Sequence, residues 1–175
     1  MKREDYVMKS SNRAIVIFDT RFGNTEKIAK SFEAGLRESD VETVCLNAKE
    51  INPDSLNQFD LISVGAPTEW LTASKPMKEF LERLRGVDLR GKYGFAFDTK
   101  LGRRLSGSAA KLIEKDLKHA GLNIIADHES AIVYATGSSM DTMTLKDGEE
   151  KRFEAVGRQI GALLAKSRAA EAVTA

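Results

Sequence analysis

The sequence predicts an α/β protein with a doubly wound parallel β-sheet and helices on both faces. Short apolar runs alternate with helix-like patterns about five times along the 175 residues, as in sheets joined by helical crossovers. Most of these runs are continuously apolar, which is typical of strands covered on both faces. No repeat, composition break or Pro/Gly-rich linker interrupts the pattern. We therefore expect one domain at about 13–166, between flexible tails at 1–12 and 167–175.

The first half of the chain contains three predicted strands and two predicted helices. The strands cover 14–18, 41–46 and 61–64, and the helices cover 25–38 and 76–84. The second strand is more polar than the other two, as expected at the edge of a sheet. In the first helix Ile28, Phe32 and Leu36 recur every four residues and share one side. The second helix carries Pro76 near its first turn, a favoured position.

The second half of the chain repeats the alternation. A fourth strand is predicted at 93–97, and a fifth is assembled from 124–125 and 131–134 with a break near 127–128. A helix at 108–120 ends before Gly121, a good C-terminal cap, and a last helix covers about 148–165.

Composition excludes several classes of function. The 27 basic and 26 acidic side chains leave a net charge of +1, which gives no argument for a nucleic-acid or membrane partner. The single cysteine, Cys45, excludes a disulfide framework, and neither it nor the two histidines belong to a metal-ligand pattern. Residues 1–13 resemble no signal peptide, and no run approaches the ~20 apolar residues of a membrane span. We therefore expect a cytoplasmic protein without a metal site.

Ligands of doubly wound sheets bind beyond the carboxyl ends of the strands, so three loops are informative: 19–25, 65–74 and 98–108. The first loop combines the hydroxyls of Thr20 and Thr25 with free amides at a helix N-terminus, which together form a site for a dianion. The alternative is an ordinary N-cap, in which Asn24 or Thr25 only ties down the start of the helix.

The first loop also resembles a known motif. Thr20-x-x-Gly23-Asn24-Thr25, directly after the first strand, is similar to the phosphate-binding loop of flavodoxins, Ser/Thr-x-Thr-Gly-Asn-Thr. The segments 65–70 and 98–108 stand where the second and third flavin loops of that family follow their strands, and the spacing matches over about 13–165. The resemblance implies a five-stranded sheet in the order 2-1-3-4-5 with FMN at its carboxyl edge. It further implies a flavoprotein that passes electrons to a redox partner protein or a small-molecule acceptor.

The resemblance implies a role for three groups of residues. The 5′-phosphate is held by the hydroxyls of Thr20 and Thr25, by Asn24 and by the amides of Arg21, Phe22, Gly23, Asn24 and Thr25. The isoalloxazine is flanked by Pro67, Thr68, Glu69 and Trp70, of which Trp70 is the stacking residue. Its other side and rim are lined by Phe97, Asp98, Thr99, Lys100 and Leu101, with Asp98 alternatively accepting a hydrogen bond from the ribityl chain or the ring.

The chain departs from the flavodoxin pattern in two loops. Phe22 stands where the family carries a Thr hydroxyl, a loss that the charge of Arg21 offsets if it points inward. The third loop has no Tyr or Trp, which leaves one flavin face open, and its basic residues Lys100, Arg103 and Arg104 either guide an anionic partner or form an ordinary solvated loop. Leu71 follows Trp70 where a Gly is often found. Because a Cβ resists positive φ, we expect this turn to be disfavoured and two-electron chemistry to fit as well as one-electron transfer.

Two other functions remain open. The first is a binding or regulatory module that keeps the fold and has lost FMN, and the second is an NAD(P)H-dependent quinone reductase. The flavin itself carries the chemistry in such proteins, so no catalytic side chain is assigned. An electron carrier is favoured over a self-contained oxidoreductase.

Overall fold

The computed structural model describes residues 11–102, 107–136 and 142–174. Its strands are β1 (Arg13–Phe18), β2 (Glu42–Asn47), β3 (Leu61–Glu69), β4 (Thr72–Ala73), β5 (Tyr93–Leu101), β6 (Asn123–Ile124), β7 (Glu129–Ala135) and β8 (Met143–Leu145). Its helices are α1 (Asn24–Glu38), α2 (Lys75–Leu84), α3 (Ala109–His119) and α4 (Glu149–Thr174), with a short 3₁₀ helix at Pro53–Gln58.

The strands form one mostly parallel sheet in the order β2-β1-β3-β5-β7-β8. The predicted fourth strand is β5, and the predicted fifth strand is β6 and β7, which both pair with β5 on either side of a break. The predicted order 2-1-3-4-5 is therefore confirmed. Two short antiparallel strands were not predicted: β4 pairs with β3, and β8 pairs with β7 at the edge.

Helices cover both faces of the sheet, as predicted. Alternate side chains of β1 enter two different cores: Ile15 and Ile17 belong to the core under α2 and α3, and Val16 belongs to the core under α1 and α4. Successive residues of a strand point to opposite faces, so a strand buried on both sides must be apolar throughout.

Helices α1 and α4 approach each other closely. A Cβ at Gly35 would overlap the backbone carbonyl of Glu154, and one at Gly157 would overlap that of Phe32. The two helices therefore pack with their backbones nearly in contact. This packing holds α1, and with it the loop that precedes α1, at a fixed position against the sheet.

The C-terminal segment differs from the prediction. Helix α4 continues to Thr174, so residues 167–174 extend the helix where a flexible tail was expected. Arg168 lies 3.2 Å from a carboxyl oxygen of Asp60, and the Tyr93 hydroxyl donates to Glu171 over 2.6 Å. Three of the eight residues in 167–174 are Ala, the residue that most favours helix. Of the predicted N-terminal tail, residues 1–10 lie outside the described residues.

No helix within the described ranges is long and apolar enough to span a membrane.

Candidate functional site

A cavity of about 680 Å³ lies at the carboxyl ends of β1, β3 and β5. The order 2-1-3 reverses between β1 and β3, and this switch point is where doubly wound sheets bind ligands. The lining includes all the predicted site residues except Gly23, Phe97 and Asp98, and adds Leu71, Val133 and Met143, which were not among the predicted site residues. It consists of Thr20, Arg21, Phe22, Asn24, Thr25, Pro67, Thr68, Glu69, Trp70, Leu71, Thr99, Lys100, Leu101, Val133 and Met143.

The N-terminus of α1 opens at this cavity without a side-chain cap. Its N-cap residue is Gly23, whose φ of 81° lies in the left-handed region that glycine adopts freely. The Asn24 side chain donates to the Met143 carbonyl at 2.8 Å, and the Thr25 hydroxyl pairs with that of Thr99 at 2.8 Å. The alternative in which Asn24 or Thr25 caps the helix is therefore wrong. An uncapped first turn presents amide donors and a positive dipole end, which favour an anion.

Thr20 supplies an unpartnered polar atom at the same place. Its Oγ1 is buried and has no hydrogen-bond partner among the described residues, although the residue lines the cavity. Buried polar atoms are nearly always paired, and leaving one unpaired costs about 1–3 kcal/mol. A ligand oxygen in the cavity would satisfy this hydroxyl, so the residues present fit a phosphate at the start of α1.

The first and second loops meet across the mouth of the cavity. The Arg21 guanidinium lies 5.1 Å from the centre of the Phe22 ring and 3.8 Å from a carboxyl oxygen of Glu69. Arg21 is mostly exposed, and its partner Glu69 is half-buried. The side chain predicted to supply charge to the phosphate therefore bridges the two loops in this structure.

The second loop is a tight hairpin. Strands β3 and β4 pair through Glu69 and Thr72, which leaves Trp70 and Leu71 as a two-residue turn. Both turn residues have positive φ, 48° and 70°, as a type I′ hairpin turn requires. The expectation that Leu71 resists positive φ is thus wrong, because the hairpin pairing imposes this backbone. Non-glycine residues there cost roughly 1–2 kcal/mol each.

Trp70, the predicted stacking residue, lies at the mouth of the cavity and is 96% exposed. Its indole contributes to the lining on the outer side, where it is accessible to a ligand. Its role in stacking on a flavin stays a prediction.

Phe97 does not line the cavity. The ring is fully buried and packs against Phe32 and Phe153, with centroids 6.0 and 5.9 Å away. It also occupies the space that a side chain at Gly65 would need. Phe97 points into the core under α1 and α4. It lies two residues before Thr99, the first residue of β5 that lines the cavity.

Asp98 is also absent from the lining. Its side chain points to the other face of the sheet, toward α3, and is fully buried. Its Oδ2 accepts hydrogen bonds from Thr68, Ser108 and the Ala110 amide, at 3.0, 2.8 and 3.0 Å. The predicted contact with a ribityl chain or ring is therefore not available to Asp98 in this structure.

The third side of the cavity is aliphatic. Leu101, Val133 and Met143 line it, and Lys100 adds a positive charge. Val133 follows from the predicted strand at 131–134, but Met143 belongs to β8, a three-residue strand without a recognisable pattern. Arg103 and Arg104, named in the predicted basic rim, lie outside the described residues. Within the described ranges no group of three or more His, Cys, Asp or Glu side chains is placed to hold a metal ion.

The fold and the cavity define a doubly wound α/β protein with an anion-favouring loop beside an apolar ligand site at the switch point. The family model for flavodoxin matches residues 16–156, so the chain belongs to the flavodoxin family. Members of this family bind FMN. The predicted family is confirmed.

Similar proteins include two flavodoxins and a type A flavoprotein. Flavodoxins from Clostridium saccharobutylicum and Aquifex aeolicus (strain VF5) are 29% identical over 85 residues and 32% identical over 94 residues, which is 48% and 51% of this chain. The chain spans about half the length of these relatives, 53% and 51%. A type A flavoprotein, fprA, from Rhodobacter capsulatus is 30% identical over 114 residues, 62% of this chain and 26% of that protein.

Solved structures share the fold. A flavodoxin from the domain Archaea superposes with a TM-score of 0.72 at 22% identity, covering 87% of this chain and 99% of that one. Rubredoxin oxygen:oxidoreductase from Desulfovibrio gigas superposes with a TM-score of 0.71 at 16% identity, covering 89% of this chain and 37% of that one.

Proposed function

We propose that this chain binds one FMN non-covalently in the cavity and passes electrons from a donor to a protein or small-molecule acceptor. The observation that carries the proposal is the buried, unpartnered Oγ1 of Thr20 beside the uncapped N-terminus of α1. Family membership supports the choice of FMN among phosphate-bearing ligands.

The residues of the cavity divide into two sets that suit the two ends of FMN. The amides at the start of α1 and the hydroxyls of Thr20 and Thr25 would hold the phosphate, because charged acceptors strengthen hydrogen bonds. The apolar residues Trp70, Leu71, Leu101, Val133 and Met143 would hold the ring system. When bound, FMN supplies the redox chemistry, taking up and releasing one or two electrons.

The chain's own residues bind and orient the cofactor and limit its contact with water. Trp70 and Leu71 form one wall of the cavity at the solvent side, and the aliphatic residues of β5, β7 and β8 form another. No proton-transferring side chain is needed for this function. The turn at Leu71 already has positive φ, so the sequence argument for two-electron chemistry from a missing Gly does not apply.

The experiment is to saturate the purified protein with FMN, reduce it anaerobically by light and mix it with oxidised cytochrome c as a probe acceptor. We expect a flavin spectrum that differs from free FMN, full reduction, and reoxidation as the cytochrome is reduced. A folded protein that fails to bind FMN at tens of micromolar would favour the binding module without FMN. Rapid oxidation of NADPH with a quinone, without any other protein, would favour the quinone reductase.

A further inference from the structure

Non-glycine residues with positive φ keep this backbone conformation only when surrounding contacts enforce it. The turn of the β3–β4 hairpin contains such a pair, Trp70 and Leu71, and both side chains are exposed, so burial of these side chains does not stabilise it. The contacts that enforce the turn must therefore be made by its backbone or by the residues on either side of it.

Three anchors meet the hairpin from neighbouring elements. On its first strand, the Thr68 hydroxyl donates to Asp98 at 3.0 Å and accepts from the Ala109 amide at 2.9 Å. At its tip, Leu71 forms a parallel bridge with Gly107, where an added Cβ would come within 2.6 Å of the Leu71 Cα. After its second strand, the Ser74 hydroxyl donates to the buried carboxyl of Asp19 at 2.6 Å.

Asp98 is central among these anchors. Its Oδ2 joins the end of β3, through Thr68, to the start of α3, through Ser108 and the Ala110 amide. Its other oxygen, Oδ1, is buried without a partner among the described residues. A fully buried carboxyl group with one unsatisfied oxygen is costly in the fold alone.

We propose that Asp98 is a positioning residue that acts through Thr68 to hold the Trp70–Leu71 turn at the edge of the cavity. It does not touch the ligand. This inference rests on the proposed function insofar as it concerns flavin, because the turn forms the wall assigned to the ring system. Loss of Asp98 then weakens the hold on the ring and leaves the hold on the phosphate unchanged.

The test combines hydrogen exchange of the protein without flavin with titrations of FMN and riboflavin. In Asp98→Asn we expect the backbone amides of residues 69–73 to exchange with solvent about tenfold faster. A change of this size corresponds to the loss of one hydrogen bond to a charged group. Dissociation constants for FMN and riboflavin should both rise about tenfold, with their ratio unchanged. Thr68→Val should reproduce these effects, and the double variant should be no weaker than either single variant.

Asp116→Asn is the matched control. Asp116 is also a buried carboxyl but belongs to α3, and it pairs with Arg85 at 3.4 Å, away from the hairpin. This variant should lower the stability without changing hairpin exchange or flavin affinity. Additive effects of Asp98→Asn and Thr68→Val, unchanged hairpin exchange, or a loss confined to FMN would each overturn the proposal.

The design separates this inference from the proposed function. If Asp98→Asn does not fold, unchanged exchange in Thr68→Val overturns the inference and faster exchange supports it. If the unsubstituted protein binds no flavin, the proposed function fails, and the exchange measurements still decide whether Asp98 holds the turn.

Discussion

Replacing Thr20 by Val should strengthen the fold and weaken the binding of FMN. Val has nearly the same shape and lacks the Oγ1 that lies buried without a partner. Removing an unsatisfied buried hydroxyl is expected to raise the free energy of unfolding of the flavin-free protein by about 1 kcal/mol. For a chain of this size that corresponds to a melting temperature roughly 2–4 °C higher.

The effect on the ligand has the opposite sign. A hydrogen bond to a charged phosphate contributes about 1.5–3 kcal/mol, so Thr20→Val should weaken FMN binding about 10- to 150-fold. Riboflavin lacks the phosphate, and its affinity should not change. The assay is fluorescence titration with both flavins, together with thermal melts of the flavin-free protein.

Thr43→Val is the matched control. Thr43 is buried in β2, and its hydroxyl donates to the Val41 carbonyl at 2.9 Å. Losing this satisfied bond should cost about 1 kcal/mol of stability and leave FMN binding unchanged. If Thr20→Val destabilises the protein as Thr43→Val does, or weakens both flavins equally, the assignment of Thr20 to the phosphate is refuted.

Three further predictions follow from other parts of the fold. Leu71→Gly removes a Cβ from a position with φ of 70° and should raise the free energy of unfolding by up to about 1 kcal/mol in urea titrations; a clear loss would contradict the strain assigned to this turn. Removing residues 167–175 should lower the free energy of unfolding by about 1–2 kcal/mol, because the contacts of Arg168 and Glu171 are lost. An unchanged midpoint of urea unfolding would show that the segment does not stabilise the fold. Burial raises the pKa of Glu114, but hydrogen bonds from Lys118 and His128 outweigh burial and hold the pKa below its ordinary value of 4.5. The ionised carboxylate therefore stabilises the fold above pH 4.5, and this stabilisation is lost as the pH falls through the lowered pKa. Glu114→Gln should flatten this acid-side loss in urea titrations between pH 3 and 6, and an unaltered slope would remove Glu114 as its source.

The fold was predictable because its signals are local and repeated. Continuous apolar strands and four-residue helical spacing determine which elements form, and the length of the crossovers makes the sheet parallel. The short strands β4 and β8 carry no such signal. The turn at Trp70 and Leu71 runs against the usual Asn-Gly preference, since neighbouring elements impose it.

The sequence predicted which loops line the candidate site, but it predicted fewer of the individual side-chain contacts there. The motif at Thr20 to Thr25 predicted a loop that does line the cavity. It did not predict that Asn24 donates to Met143, because no local pattern reveals a contact between residues 119 positions apart. Asp98 was expected at the ligand because it follows the predicted strand 93–97 and begins the segment that resembles the third flavin loop of the family. The alternation of side chains along β5 instead turns it toward α3.

The measurement that tests the central claim most directly is calorimetric titration of the flavin-free protein with FMN and with riboflavin. The proposed site predicts one FMN per chain, bound at least about tenfold more tightly than riboflavin because the phosphate meets Thr20 and the start of α1. Equal affinity for the two flavins would contradict the phosphate site. The absence of FMN binding by protein whose circular dichroism shows it folded would contradict the proposed function as a whole.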